Sequence, residues 1–351
     1  MFYTCSSLFK MRLRSFVVLL ACVTFNFKAL SQDIHFTQFY MHPLTINPAL
    51  AGDYNGGLRG SFINRRQWGQ LGKPIETMGA SIEQKLRLNG DYLVFGGLFL
   101  NDRATQIGYV TTKAYFSSAF EKNISRHSIS MGIQVGMSRT SLDQSQTFPS
   151  QFNAGTGTFD SGISNNENGE LFNGSYLDIN VGFFWRTIYK QRFRFKTGFS
   201  LSHVNRPNEA FTDHVARVPI RYLAHHSTEI ILTPQWSFIS NSKAMYTGQA
   251  KEFITTVNAK KKITEDLSIM AGVGYRGYVI NSDAALVILS ASYHYLDFGV
   301  SYDWNVSSLS NSTQKTSVEL SLAVRTPPPR KLKPILFKKN KPCPVFIDPS
   351  K

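Results

Sequence analysis

The chain has 351 residues, 42% of them apolar and 13% aromatic, with a formal net charge of +15; that length suffices for one large domain or two. Its mean hydropathy is only −0.17, and no uninterrupted apolar run of eighteen follows residue 30, which argues against a transmembrane helix. Four surplus cations lie in residues 1–31 and a net six in 326–351; 15 less 4 and 6 leaves +5 for the body, which excludes a dedicated nucleic-acid-binding surface.

Residues 1–31 read as a signal peptide. Lys10, Arg12 and Arg14 precede the apolar run 16–23, no acid occurs, and Ala29-Leu30-Ser31 offers small residues before a mature start at Gln32. A buried N-terminal helix is the competing reading. Leu19-Leu20-Ala21-Cys22 is an alternative processing site that would leave Cys22 lipidated, and Met11 an alternative start. With Cys5 and Cys22 in the leader, Cys343 stands alone in the mature chain, so no internal disulfide and no thiolate metal site can form. Cys343 is either inert or a point of intermolecular attachment.

Residues 32–56 hold Phe36, Phe39, Tyr40, Leu44 and Ile46, too many apolar groups for a free arm, while Pro43 and Pro48 break regular structure. The expectation is a segment folded back to plug or floor the next element; partner binding is the alternative.

From 57 to 325 the dominant pattern is alternation with a period of two. In 176–189, Leu177, Ile179, Val181, Phe183, Trp185 and Tyr189 face one way, and Tyr176, Asp178, Asn180, Gly182 and Arg186 the other. In 285–295, Ala285, Val287, Leu289, Ala291, Tyr293 and Tyr295 oppose Ser290, Ser292 and His294. In 297–306, Phe298, Val300, Tyr302, Trp304 and Val306 oppose Asp297, Gly299, Ser301, Asp303 and Asn305. Aromatics gather at the ends of the apolar faces, as at a membrane interface. The runs exceed the usual soluble strand and suit a tilted bilayer crossing. Fourteen are predicted, near 57–68, 74–87, 91–101, 108–121, 127–141, 174–190, 192–206, 219–232, 234–248, 251–264, 267–280, 284–295, 297–305 and 315–325. The even count suits an all-β, transmembrane antiparallel barrel.

Connection lengths sort in the same sense. One set includes 88–90, 190–191 and 296; the other includes 101–107, 142–173, 207–218 and 306–314. Short periplasmic turns and longer outer loops place both termini in the periplasm. The loop 142–173 is rich in Gly, Ser and Asn and is expected to be mobile, either a passive surface or a partner site. The tail 326–351 opens Thr326-Pro327-Pro328-Pro329, which cannot extend a sheet. Arg330, Lys331, Lys333, Lys338, Lys339 and Lys341 make it an extended basic arm, a candidate for partner binding or simply solvated.

Catalytic patterns are missing from the sequence. There is no nucleophile elbow, His-Glu-x-x-His, paired Cys-x-x-Cys or phosphate loop. His225 and His226 are adjacent, so on a strand they point to opposite faces. Gly272 and Gly274 lie within a strand and relieve crowding inside the barrel. The inward Asp178, Asp297 and Asp303 are expected to pair with the inward Arg186 and Arg276. No enzyme activity and no cofactor is expected; a small porin is the alternative function, and a barrel hydrolase a third class.

The stretch Gln32-Asp33-Ile34-His35-Phe36-Thr37-Gln38-Phe39-Tyr40-Met41-His42-Pro43-Leu44-Thr45-Ile46-Asn47-Pro48-Ala49-Leu50-Ala51-Gly52 closely resembles the opening of the PorP/SprF family of type IX secretion system membrane proteins from Bacteroidetes. Arg66-Gln67-Trp68, the run 176–182, His203-Val204-Asn205-Arg206-Pro207-Asn208, the run 301–307 and Cys343-Pro344-Val345-Phe346 extend the resemblance over nearly the whole mature chain. It implies an outer-membrane barrel tied to secretion or surface anchoring of cargo such as adhesins, and in some members to gliding. It also implies periplasmic ring lipoproteins, a peptidoglycan-binding protein and secreted cargo as partners, beside outer-membrane lipids. The family supplies no catalytic residues.

Overall fold

The computed structural model describes residues 34–69, 73–105, 108–142, 151–153, 155–160, 162–163, 173–209, 216–248, 250–277, 282–306 and 316–327. The predicted leader, Cys22, Cys343 and the six candidate cations of the tail lie outside the described residues, as does most of the loop 142–173.

The strands are β1 (Leu58–Gln67), β2 (Ile75–Leu88), β3 (Asp91–Ala104), β4 (Tyr109–Ile124), β5 (His127–Leu142), β6 (Phe152–Asn153), β7 (Thr158–Phe159), β8 (Asn173–Tyr189), β9 (Phe193–Ser202), β10 (Arg221–Ile231), β11 (Trp236–Thr247), β12 (Ala250–Lys262), β13 (Leu267–Gly277), β14 (Ser282–Tyr293), β15 (Leu296–Asn305) and β16 (Thr316–Arg325). All but β6 and β7 form one closed antiparallel barrel of fourteen strands. The two short strands make a separate hairpin within the loop between β5 and β8. Closure is made by β1 against β16, from Arg59 opposite Arg325 to Gln67 opposite Ser317, so the barrel itself has no open edge.

The alternation explains which face each residue takes. Outward Phe62, Ile82, Phe116, Met131, Val273 and Leu289 are 44–65% exposed, a surface too apolar for water and suited to hydrocarbon. Ser117, Ser130, Gln134, Asn180, Thr256 and Asn258 point inward and are buried. No described helix is long and apolar enough to cross a membrane; the crossing elements are strands.

The two ends of the barrel differ. At one, every connection has two to four residues. Asn89 (φ 47°) with Gly90 (φ 100°) and Lys190 (φ 48°) with Gln191 (φ 55°) supply the left-handed pairs that tight hairpins need. At the other, the connections after β1, β5, β9 and β15 run from seven to thirty residues, although β11 and β12 are joined there by only two. The first strand begins and the last ends at the short-turn end, where Gly57 N–H donates to Pro327 O at 2.9 Å and Thr326 N–H to Leu58 O at 2.9 Å.

Residues 34–57 lie inside this wall. Two single turns of 3-10 helix, Pro43–Thr45 and Pro48–Leu50, are its only regular structure. Two apolar clusters join them to the inner face: Phe36, Leu44 and Ala51 with Ile63, Val94, Leu98 and Leu100, and Phe39, Ile46, Ala49 and Leu50 with Phe184, Leu223, Ile254, Ala284 and Leu286. Burying each large apolar side chain contributes about 1.5–3 kcal/mol. A polar lumen offers few apolar receptors, so these positions set where the segment lies.

Candidate functional site

Among the described residues, charge, burial and an unusual chain path coincide in the lumen. In the long-loop half of the barrel, Glu319 on β16 accepts from the Thr37 and Gln38 backbone N–H groups at 2.6 and 2.9 Å. Arg65 on β1 pairs with Glu319 and lies 2.8 Å from Asp303 on β15. Arg276 on β13 reaches the same Asp303 at 2.7 Å, and Thr37 Oγ1 donates to it at 2.9 Å. Gln38 accepts from Ser321 Oγ at 2.9 Å. All of these side chains are buried. The cost of desolvating such a cluster rivals its attraction, so its role is to fix register rather than to drive folding.

At mid-height the segment touches the wall through glycines. A Cβ on Gly132 would stand 2.5 Å from Pro48 C and Ala49 N, and one on Gly182 would stand 1.9 Å from Asn47 Oδ1. Asn47 caps the second turn by accepting from Ala49 N–H at 2.9 Å and donates to Phe183 O at 3.0 Å. Its amide also meets His225 Nε2 at 3.0 Å. Burial, with Arg59 adding to it, pushes His42 down to about 3, so its ring is neutral at ordinary pH, and its nitrogens meet no partner.

Toward the short-turn end the chain turns at Gly52 (φ +85°), where a side chain would be strained and would meet Val94 Cγ2 at 2.7 Å. Gly52 N–H donates to Glu83, which is paired with Arg59 at 2.7 Å. Asp53 follows, 3.0 Å from Arg186 and 2.7 Å from Lys196. Burial would raise its carboxyl, but Lys196 and Arg186 outweigh that and hold it at about 2. Tyr54 lies under Arg59 and Lys85, 4.5 and 4.9 Å from its ring centroid.

Of the inward charges expected to pair with one another, only Arg276 and Asp303 do so. Arg186 takes Asp53 and Glu121, Asp178 takes Tyr115 and His203 at 2.6 and 2.9 Å, and Asp297 takes Arg325 at 2.9 Å. Their partners lie on the inner segment, on other strands and just beyond β9. His225 faces the lumen and His226 outward. Cβ atoms on Gly272 and Gly274 would crowd Asn258 and Thr255. Among the described residues no three His, Cys, Asp or Glu side chains converge as metal ligands would.

Sequence reasoning missed Arg65, Glu319, Glu83 and Lys196. Arg65 and Glu319 stand opposite each other across the closing pair, separated by 254 residues. The available signal was their parity: each is a charge at an inward position of an otherwise alternating strand.

A family model described as type IX secretion system membrane protein PorP/SprF matches residues 29–324. No curated protein matches the sequence. Among solved structures the chain is similar to the Pseudomonas putida toluene transporter TodX, at 9% identity over 84% of this chain and 94% of that one, with a TM-score of 0.49. It is similar also to a Pseudomonas aeruginosa FadL homologue, at 8% identity over 79% and 92% with a TM-score of 0.45. The translocator domain of the autotransporter NalP from Neisseria meningitidis gives 7%, 82%, 96% and 0.40 in the same order. Likeness this distant carries no argument about what is transported.

Proposed function

Because the chain belongs to the type IX secretion system membrane protein PorP/SprF family, we propose that it is a non-enzymatic outer-membrane platform of that system, involved in secreting or anchoring cargo such as adhesins. In this reading residues 32–56 are a built-in plug, and the short turns and both ends of the chain face the periplasm. The tail 326–351, through Arg330, Lys331, Lys333, Lys338, Lys339 and Lys341, docks on the periplasmic ring lipoproteins or a peptidoglycan-binding protein.

The observation that carries the platform reading is the segment lodged in the lumen. Residues 34–57 are held by buried ionic groups toward both ends and by close backbone contact at mid-height, which argues against an open solute channel. The family supports the secretory role, and the net +6 of the tail supports an acidic partner.

The test is genetic and biochemical. Cells lacking the chain should lose surface delivery of adhesin-type cargo. Cells making a chain truncated after Thr326 should keep a folded barrel, since β16 ends at Arg325, yet fail to recover the periplasmic partners. Wild-type recovery by the truncated chain would refute the docking arm, and normal cargo delivery without the chain would refute the secretory reading.

A further inference from the structure

Two cavities meet at the short-turn mouth, sharing Asp53, Arg194 and Lys196 in their walls. The outer one, about 990 Å³, is a vestibule beneath the plug's exit, bordered by the hairpin turns after β4 and β8. Six cations line it (Lys85, Arg126, Arg186, Lys190, Arg194 and Lys196) against a single carboxylate, Asp53. Asp53 is already held by Arg186 and Lys196, and Arg194 by Glu229 at 2.9 Å. Arg126 and Lys190 are exposed and pair with no carboxylate among the described residues.

The inner cavity, about 350 Å³, continues from the vestibule into the lumen. Its plug-side wall is apolar, built by Phe39, Met41, Pro43, Ile46 and Leu50, while the barrel side carries Glu229 and Asp297, held by Arg194 and Arg325 respectively. Tyr40 also lines it, and the Tyr40 hydroxyl is buried there without a hydrogen-bond partner. A buried hydroxyl in that state favours any ligand that supplies a polar atom.

We propose that this mouth is a docking site for an acidic peptide segment of a periplasmic partner. Its carboxylates lie against Arg126 and Lys190, and one aromatic or branched apolar side chain enters the inner pocket beside the Tyr40 hydroxyl. The inference rests on the periplasmic orientation proposed above. The charge balance selects the occupant. The chain's own tail carries a net +6, and like charge argues against it as the occupant. An acidic glycan or free phosphate satisfies the cations but has no apolar group for the inner pocket.

The test uses the full-length protein in nanodiscs and fluorescein-labelled peptides read by anisotropy. Three probes are compared: alternating Glu and Phe, alternating Lys and Phe, and alternating Glu and Ser. The Glu/Phe peptide should bind, more weakly as salt rises from about 0.1 to about 0.5 M. The double variant Arg126→Glu/Lys190→Glu, altered only at exposed turn residues, should bind it about tenfold more weakly. The Glu/Ser peptide should bind less well than Glu/Phe, and Ser290→Trp, which fills the inner pocket, should erase that difference. Equal binding of the Lys/Phe peptide, or unchanged affinity in the charge-reversed variant, would overturn the proposal. Failure here leaves cargo delivery in cells untouched, so it is distinguishable from failure of the secretory reading.

Discussion

Removing the Glu319 carboxylate should unlatch the upper part of the inner segment while leaving the barrel wall intact. Glu319 accepts two backbone N–H groups from the segment and pairs with Arg65, which is 1% exposed. Breaking one side of a buried pair costs about 3–5 kcal/mol, and each buried N–H left without an acceptor about 1–3 kcal/mol. These terms overlap, and Arg65 keeps Asp303 at 2.8 Å and Ser317 at 3.0 Å, so a local loss of about 3 kcal/mol is the reasoned value for Glu319→Ala. At about 1.4 kcal/mol per tenfold, opening of the segment becomes roughly a hundredfold more frequent. Hydrogen exchange read on peptides covering 36–40 reports this directly. Those amides should exchange about a hundredfold faster, while the β1 and β16 amides, held by wall hydrogen bonds, keep their protection. Glu319→Gln, which retains one acceptor oxygen, should fall between. Exchange at 36–40 within about threefold of wild type would refute the latch. Equal loss in β1 and β16 would mean that the network holds the wall instead.

Gly132→Val should lower the urea midpoint of the folded barrel by the equivalent of about 1–3 kcal/mol, because its Cβ meets segment backbone at 2.5 Å; an unchanged midpoint would mean the segment moves aside freely. Asp53 makes a pH prediction. Its folded carboxyl sits at about 2, below the ordinary value of about 3.9, so its stabilisation is present above pH ~4 and is lost as pH falls toward ~2. Asp53→Asn should therefore cost about 2 kcal/mol of protection in peptides covering 48–56 at pH ~7, and only a small fraction of that at pH ~2; equal protection in variant and wild type at pH ~7 contradicts the pairing.

The wall was legible in the sequence because alternation is a local signal: each lipid-facing residue declares its side within two positions. The expected strand 192–206 overran β9, which ends at Ser202, because the chain turns at His203 (φ 59°) and Arg206 (φ 45°), left-handed conformations uncommon for any residue but glycine. The resting place of Phe36, Phe39, Leu44 and Ile46 was not legible. Their receptors are scattered across strands from β1 to β14, and only closure of the barrel brings them together. One clue was present on β14: Ala284, Leu286 and Ile288 are apolar at inward positions, which breaks the polar rule of a lumen and marks a wall that faces something other than water. The ionic latch was hidden for the same reason, since Arg65 and Glu319 meet only where the last strand returns to the first.

Planar-bilayer recording tests the occluded platform most directly. Full-length protein, with residues 34–57 lodged in the lumen, should insert without steady conductance, and a chain lacking residues 34–56 should open stable channels. Steady open channels from the full-length protein would contradict the account and restore the porin.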